Sequence, residues 1–384
     1  MKDKCAIVGV GETEFSSNSG RSELTLACEA IKAAVEDSGL RMKDIDGIVK
    51  YSFDSCPETA LSQSLGIENL GFFGEIGYGG GAGCATVAHA VLAVAGGMAK
   101  YVVCYRALNE RSGHRYGRPT PPAAVPGDVA FTVPYGLISP AQQVALVARR
   151  HMHEYGTTTR QFGAIAVACR KHACMNPRAQ MYGKPITLED HQNSRIVADP
   201  LRVLDCCLEN DGAAAVVVTS AERAKSLRHR PVYLMAVAQA SGRPGVPMVN
   251  YNRPSLTESE ACYAARDLYR MAGVSPQDID VAEIYDHFTP LVLMAIEDYG
   301  FCKKGEGGPF VEGGRIELGG ELPLNTHGGN LSDAYIHGMT HIIEGVRQLR
   351  GTSTAQVKDA ELALVTSGNA IPTSALILRR GDPT

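Results

Sequence analysis

Ala33-Ala-Val-Glu-Asp-Ser-Gly39-Leu-Arg-Met-Lys-Asp44-Ile45-Asp46-Gly-Ile-Val-Lys-Tyr51 and Asp267-Leu-Tyr-Arg-Met-Ala-Gly273-Val-Ser-Pro-Gln-Asp278-Ile279-Asp280-Val-Ala-Glu-Ile-Tyr285 match at a constant offset. Each copy reads as the end of a helix, a glycine stop, an Asp-Ile-Asp turn and a buried strand. A weaker match pairs the helical stretch Ala85 to Met98 and the strand Tyr101-Val-Val-Cys104 with Ile336 to Leu349 and Leu362-Ala-Leu-Val365. The chain therefore reads as two similar α/β halves, residues 1–225 and 226–384.

Elsewhere in the chain, short apolar runs alternate with helical patterns: Cys5 to Val10, Ile48 to Tyr51, Tyr101 to Tyr105, Ala213 to Thr219, Val232 to Gln239, Val281 to Tyr285, Leu362 to Thr366 and Ala375 to Arg379. These are strands covered on both faces, in a layered α/β fold. Two stretches interrupt the alternation, about 113–140, rich in Gly and Pro, and 171–204, polar with several Pro. Both read as insertions that wall a pocket. Tyr116 and Phe131 in the first suggest an aromatic or ring-bearing substrate group. Gly9-Val-Gly11 opens like a dinucleotide fingerprint, but Glu14 stands at the third glycine position, which excludes that site.

The 384 residues are 45% hydrophobic and 20% charged with formal charge −4, ordinary globular usage with no basic run for nucleic acid. No apolar run is long enough to span a bilayer and the first residues do not read as a secretory signal, so a cytoplasmic protein without a membrane partner is expected. Eleven cysteines, an odd number, read as reduced thiols, and none has the spacing of a zinc site. Neither a metal nor a permanently bound cofactor is expected.

Tyr78-Gly79-Gly80-Gly81-Ala82-Gly83-Cys84 leads into a helical pattern, which puts Cys84 at a helix N-terminus. There the free N–H groups and partial positive charge favour a thiolate, and the glycines let a substrate approach the backbone. Tyr285-Asp286-His287-Phe288 leaves a buried strand at its carboxyl end. Asn325-Thr-His327-Gly328-Gly329 and Tyr335-Ile-His337-Gly338 open the helix equivalent to that after Cys84. Read singly, each of these His or Tyr side chains is an ordinary buried, hydrogen-bonded group. Their clustering at element ends points to a site.

On these motifs the chain resembles the thiolase superfamily over nearly its whole length. It is most similar to the lipid-transfer-protein branch of sterol side-chain aldolases and benzoylsuccinyl-CoA-type thiolases. Cys84-Ala-Thr-Val is similar to the family's nucleophile segment. Tyr285-Asp286-His287-Phe288 stands where the family has His-Asp-x-Phe, and Asn325-x-x-Gly328-Gly329 matches its Asn-x-x-Gly-Gly. Asn210-Asp211-Gly212 resembles the strand ending its first half. The resemblance implies a duplicated five-layer αβαβα fold, a homodimer and coenzyme A as a substrate. It further implies a small partner protein with a zinc ribbon and an OB fold, together forming a heterotetramer. Two family histidines are tyrosines here, Tyr285 and Tyr335, and Ser367-Gly368-Asn369 replaces the usual Cys-x-Gly. Paired tyrosines look like the aldolase branch.

Two reactions fit these residues. In thiolysis the Cys84 thiolate attacks a β-ketoacyl-CoA and passes the acyl group to coenzyme A, with His337, His287 or His327 as base and a tyrosine protonating the enolate. In retro-aldol cleavage a β-hydroxyacyl-CoA loses its hydroxyl proton to Tyr285 or Tyr335, with no covalent intermediate. Thiolysis is preferred, because a thiol at a helix N-terminus is most simply explained if it reacts. Oxyanion and substrate contacts are expected from Asn325, His327, Gly328, Gly329, Ser367 and Gly368. A non-catalytic acyl-CoA-binding subunit is the third reading.

Overall fold

The computed structural model describes residues 2–77, 79–118, 127–242, 255–369 and 372–381. Nine strands form one mixed sheet: β1 Cys5–Glu12, β2 Gly47–Tyr51, β3 Phe72–Ile76, β4 Tyr101–Asn109, β5 Asp211–Ser220, β6 Val232–Ala240, β7 Val281–Glu283, β8 Leu362–Thr366 and β9 Thr373–Arg380. Their order is β3-β2-β4-β5-β1-β6-β9-β8-β7. Outward from the β1/β6 pair the sequence of strands is the same on both sides: β5, β4, β2 on one and β9, β8, β7 on the other. Directions repeat too. β2 runs parallel to β4 as β7 does to β8, while β4–β5 and β8–β9 are antiparallel.

The quoted repeat explains this symmetry locally. Helix α1 (Glu23–Ser38) stops at Gly39 with φ +79°, and its counterpart α5 (Ala261–Ala272) stops at Gly273 with φ +71°. In both, a left-handed residue without Cβ ends the helix. Asp46 then accepts the backbone N–H groups of Lys100 and Tyr101 at 2.8 and 2.9 Å. Asp280 does the same for Glu361 and Leu362 at 2.8 and 2.9 Å. One aspartate per half thus fixes where the neighbouring strand begins.

Strand alternation builds the layers. Val102, Cys104 and Leu108 of β4 face an inner core formed with helices α2 (Gly83–Ala95) and α7 (Met339–Arg350), while Val103, Tyr105 and Ala107 face an outer core with α1. On the other outer side α5 packs with α3 (Pro140–Tyr155), α4 (Thr159–Met175) and α6 (Thr289–Asp298). The inner helices lie between the two halves of the one sheet, so the order is helix, sheet half, helix, sheet half, helix, the five layers of the expected fold. Gly9 and Gly11 serve this packing: a Cβ at either would lie 2.1 Å from the Ala34 carbonyl oxygen or 2.3 Å from the Ala34 nitrogen. The strand β3 was not foreseen. Part of the first insertion, residues 119–126, lies outside the described residues. The second begins inside α4 and continues as a short helix, Leu188–Asn193, and a small hairpin. Among the described residues no helix is long and apolar enough to cross a membrane.

Candidate active site

The carboxyl ends of parallel strands in both halves open on one cavity of about 640 Å3. Phe53, Gly79 and Glu110 reach it just after β2, β3 and β4, and Tyr285 and Gly368 just after β7 and β8. Both insertions wall it, the first through Arg115, Tyr116 and Gly117, the second through Met181, Val197 and Val203. Phe131 is exposed and is not part of the wall.

Two phenols meet in this wall. Tyr285 Oη and Tyr335 Oη are hydrogen-bonded at 3.0 Å. Tyr285 is held by its backbone N–H donating to Thr366 Oγ1 at 3.0 Å, and Tyr335 by its N–H donating to Asn210 Oδ1 at 2.6 Å. Burial pushes the ionisation of both phenols well above the ordinary value. Each therefore keeps its proton at neutral pH and exchanges it only in concert with a partner. The imidazoles of His287 and His337 also line the cavity. Burial brings His287 down to about 4 and holds His337 well below the ordinary imidazole value, so both rings are neutral. His337 Nδ1 accepts the Nε–H of Arg106 at 3.1 Å. A guanidinium can only donate, so the neutral ring carries its proton on Nε2.

Cys84 departs from expectation. It lies in the first turn of α2, but its side chain is 1% exposed and is not in the cavity wall. Its thiol donates to the Val365 carbonyl oxygen at 3.5 Å, and burial pushes it up to about 12 against the lowering effect of Ser367. Desolvation outweighs the helix N-terminus here, and the sulfur is a protonated core thiol. The glycines before it make room for a phenol: a Cβ at Gly80 would lie 2.2 Å from Tyr285 Oη.

The Asn-Gly-Gly and Asp286 residues are brought beside the site but turned to its framework. Asn325 accepts the Ile284 N–H at 2.7 Å and donates to the Ile284 carbonyl at 2.8 Å. Asp286 is buried, which would raise its carboxyl. The His341 hydrogen bond at 2.9 Å and the Asn330 N–H at 2.7 Å bring it below the ordinary value. Gly328 donates its N–H to Asn325 O at 2.9 Å, and Gly329, at φ +64°, would put a Cβ 2.0 Å from Asp286 Oδ2. His327 Nδ1 lies 3.0 Å from Glu283 Oε2 behind the site. Burial takes that ring to about 3. Ser367 Oγ accepts the Cys84 N–H at 2.8 Å, and Gly368, though in the wall, donates its N–H to Gly80 O at 2.9 Å. The backbone donors of Gly328 and Gly368 expected to bind an oxyanion are therefore already used. Glu110 and Arg106 were not singled out from sequence, whereas Tyr116 was and does line the cavity. Each owes its position to contacts made across the chain.

Five layers around a doubled strand order, with one cavity at the carboxyl ends of both copies, define a thiolase-fold protein. The chain belongs to the thiolase superfamily, in its sterol-carrier-type branch. Residues 248–379 match the family model described as thiolase C-terminal domain-like. A 17-hydroxy-3-oxo-4-pregnene-20-carboxyl-CoA lyase of Mycobacterium tuberculosis is 54% identical, over 98% of this chain and 100% of that protein. A steroid side-chain-cleaving aldolase of Thermomonospora curvata is 52% identical over 97% of each. A solved Ltp2-ChsH2(DUF35) aldolase superposes with a TM-score of 0.95 at 50% identity, covering 100% of this chain and 99% of that one.

Proposed function

We propose that this protein cleaves a carbon–carbon bond of a β-hydroxyacyl-CoA by a retro-aldol reaction, on a substrate whose hydroxyl-bearing carbon belongs to a steroid-like ring. The observation that carries the reading is the Tyr285–Tyr335 pair in the cavity wall, with the Cys84 sulfur buried and protonated outside it. The names of relatives at 54% and 52% identity favour the same reaction and the ring-bearing substrate. The thiolytic reading loses its nucleophile.

In the reaction one phenol accepts the proton of the β-hydroxyl while passing its own proton to the other phenol. The oxygen's electron pair forms the ketone, the α–β carbon bond breaks, and its electrons form the thioester enolate. As the second phenol takes that proton it gives its own to the α-carbon, where the negative charge is building. One proton enters the pair and one leaves, so neither buried phenol has to hold a charge, which its surroundings oppose. No free coenzyme A is consumed.

The test is turnover of such a thioester by the chain, with its partner co-expressed, in the presence and absence of free coenzyme A. Tyr285→Phe and Tyr335→Phe are each expected to lose activity at least about 100-fold, with the fold intact by circular dichroism. Cys84→Ala is expected to keep it. Turnover that needs both free coenzyme A and Cys84 overturns the reading. A small zinc-ribbon and OB-fold partner in a heterotetramer remains part of the proposal, supported by the second component named for the 0.95 TM-score relative. So does a homodimer, for which β3 supplies an open sheet edge.

A further inference from the structure

Arg106 is a charged residue inside the core, 1% exposed at the end of β4. Its guanidinium lies 3.5 Å from Asp54 Oδ2, donates to the Phe53 carbonyl at 3.3 Å and also to the Ala107 carbonyl. Asp54 is itself held by the Tyr105 hydroxyl at 2.9 Å and by the N–H groups of Cys56 and Ala107 at 3.0 and 3.1 Å. These contacts, all made through Nη1, hold the guanidinium in place and with it the direction of its Nε–H. That donor meets His337 Nδ1. The residue it meets is fixed as well. His337 has a left-handed backbone, φ +48°, and its carbonyl accepts the Tyr51 hydroxyl at 2.8 Å. Its ring lies among Tyr335, Tyr116 and Tyr51, with centroids 4.9, 5.6 and 5.7 Å away.

A retro-aldol enzyme must hold the thioester oxygen as it becomes an enolate oxygen. The backbone donors of Gly368, Gly328 and Cys84 are engaged with Gly80, Asn325 and Ser367. The His337 imidazole is a side-chain donor in the wall that can take their part. We propose that Arg106 is a positioning residue for the cleavage: held by Asp54, it locks His337 as the tautomer whose Nε2–H binds the thioester oxygen. His337 is then an oxyanion donor and not a base, since Nδ1 is taken and Nε2 already bears a proton. The nearby positive charge of Arg106 also favours the enolate and strengthens the Nε2–H as a donor.

This inference rests on the retro-aldol reading, and its test separates the two. Glutamine places an N–H near the imidazole Nε2 position and asparagine does not, and neither can act as a base. His337→Gln is expected to keep activity within about tenfold, and His337→Asn to lose about 100- to 1000-fold in kcat with KM little changed. Both leave the Arg106–Asp54 pair whole. Nitrogen-15 spectra of histidine-labelled protein, with the His337 signal identified by its loss in His337→Gln, need no substrate. They should show Nε2 protonated and Nδ1 bare between about pH 5 and 9, and mixed tautomers in Arg106→Lys. An Nδ1-protonated or titrating His337, or a glutamine variant as inactive as the asparagine one, overturns the inference. Full activity of Tyr285→Phe would instead overturn the reaction on which it rests.

Discussion

Glu110 follows directly on β4 with its carboxyl group in the cavity wall, 3% exposed, and its Oε2 has no hydrogen-bond partner. Burial, and then the charge of Glu209, push it up to about 8 from the ordinary 4.5. Between those two values the unfolded chain has lost the proton that the folded protein keeps, so unfolding releases a proton in that window. The group's contribution to stability is fully present below pH 4.5 and is lost as pH rises through about 8. Glu110→Gln keeps the shape and the neutral form. Its melting temperature should therefore fall less than the wild-type value between about pH 5 and 8, with the two nearly equal at the acid end, as scanning calorimetry across that range would record. Parallel curves for the two proteins would mean that Glu110 is ionised in the folded state.

The turns that carry the site depend on two missing side chains. At Gly80, in the turn before α2, a methyl group would need the space now held by the Tyr285 hydroxyl. Gly80→Ala should displace that phenol and lower kcat about 100-fold while the melting temperature changes little. At Gly329 the obstacle is the buried Asp286 carboxylate and the conformation is left-handed. Gly329→Ala should cost about 3 kcal/mol or more in urea unfolding. These glycines also mark the limit of what the sequence reveals. The repeat made the duplicated layers legible, because helix, glycine stop and Asp-Ile-Asp recur with the same local physics. The two tyrosines were legible because they stand in motifs at element ends. The glycines before Cys84 pointed to a reactive thiol, since a sequence cannot tell which face of a helix N-terminus opens on a cavity. Arg106 and Glu110 sit at the end of an apolar run, and their roles come from Asp54 and Glu209, contacts made across the chain. The strand β3 is only five residues with Gly74 at its centre, too short and broken to stand out.

Across the whole sheet, the strand order is symmetric but its two edges are not. On the outer side of β7, Ala282 donates to the Pro323 carbonyl at 3.1 Å and accepts the Asn325 N–H at 3.0 Å, so the chain covers that edge itself. On the outer side of β3 no strand pairs among the described residues. Phe73 there is 65% exposed, and on α2, which packs beside β3, Leu92 is 59% exposed. An open edge with an exposed aromatic is a liability for a lone chain and an asset for a symmetric pair. A second copy can lie antiparallel along β3 about a twofold near Gly74, extending one sheet through both protomers. Phe73→Lys would bring two ammonium groups together across that axis without touching the cavity. By light scattering the wild-type chain should have twice its 40.9 kDa mass, and Phe73→Lys should shift towards the single mass as the protein is diluted. A wild-type chain that scatters as one copy at every concentration leaves β3 without this partner.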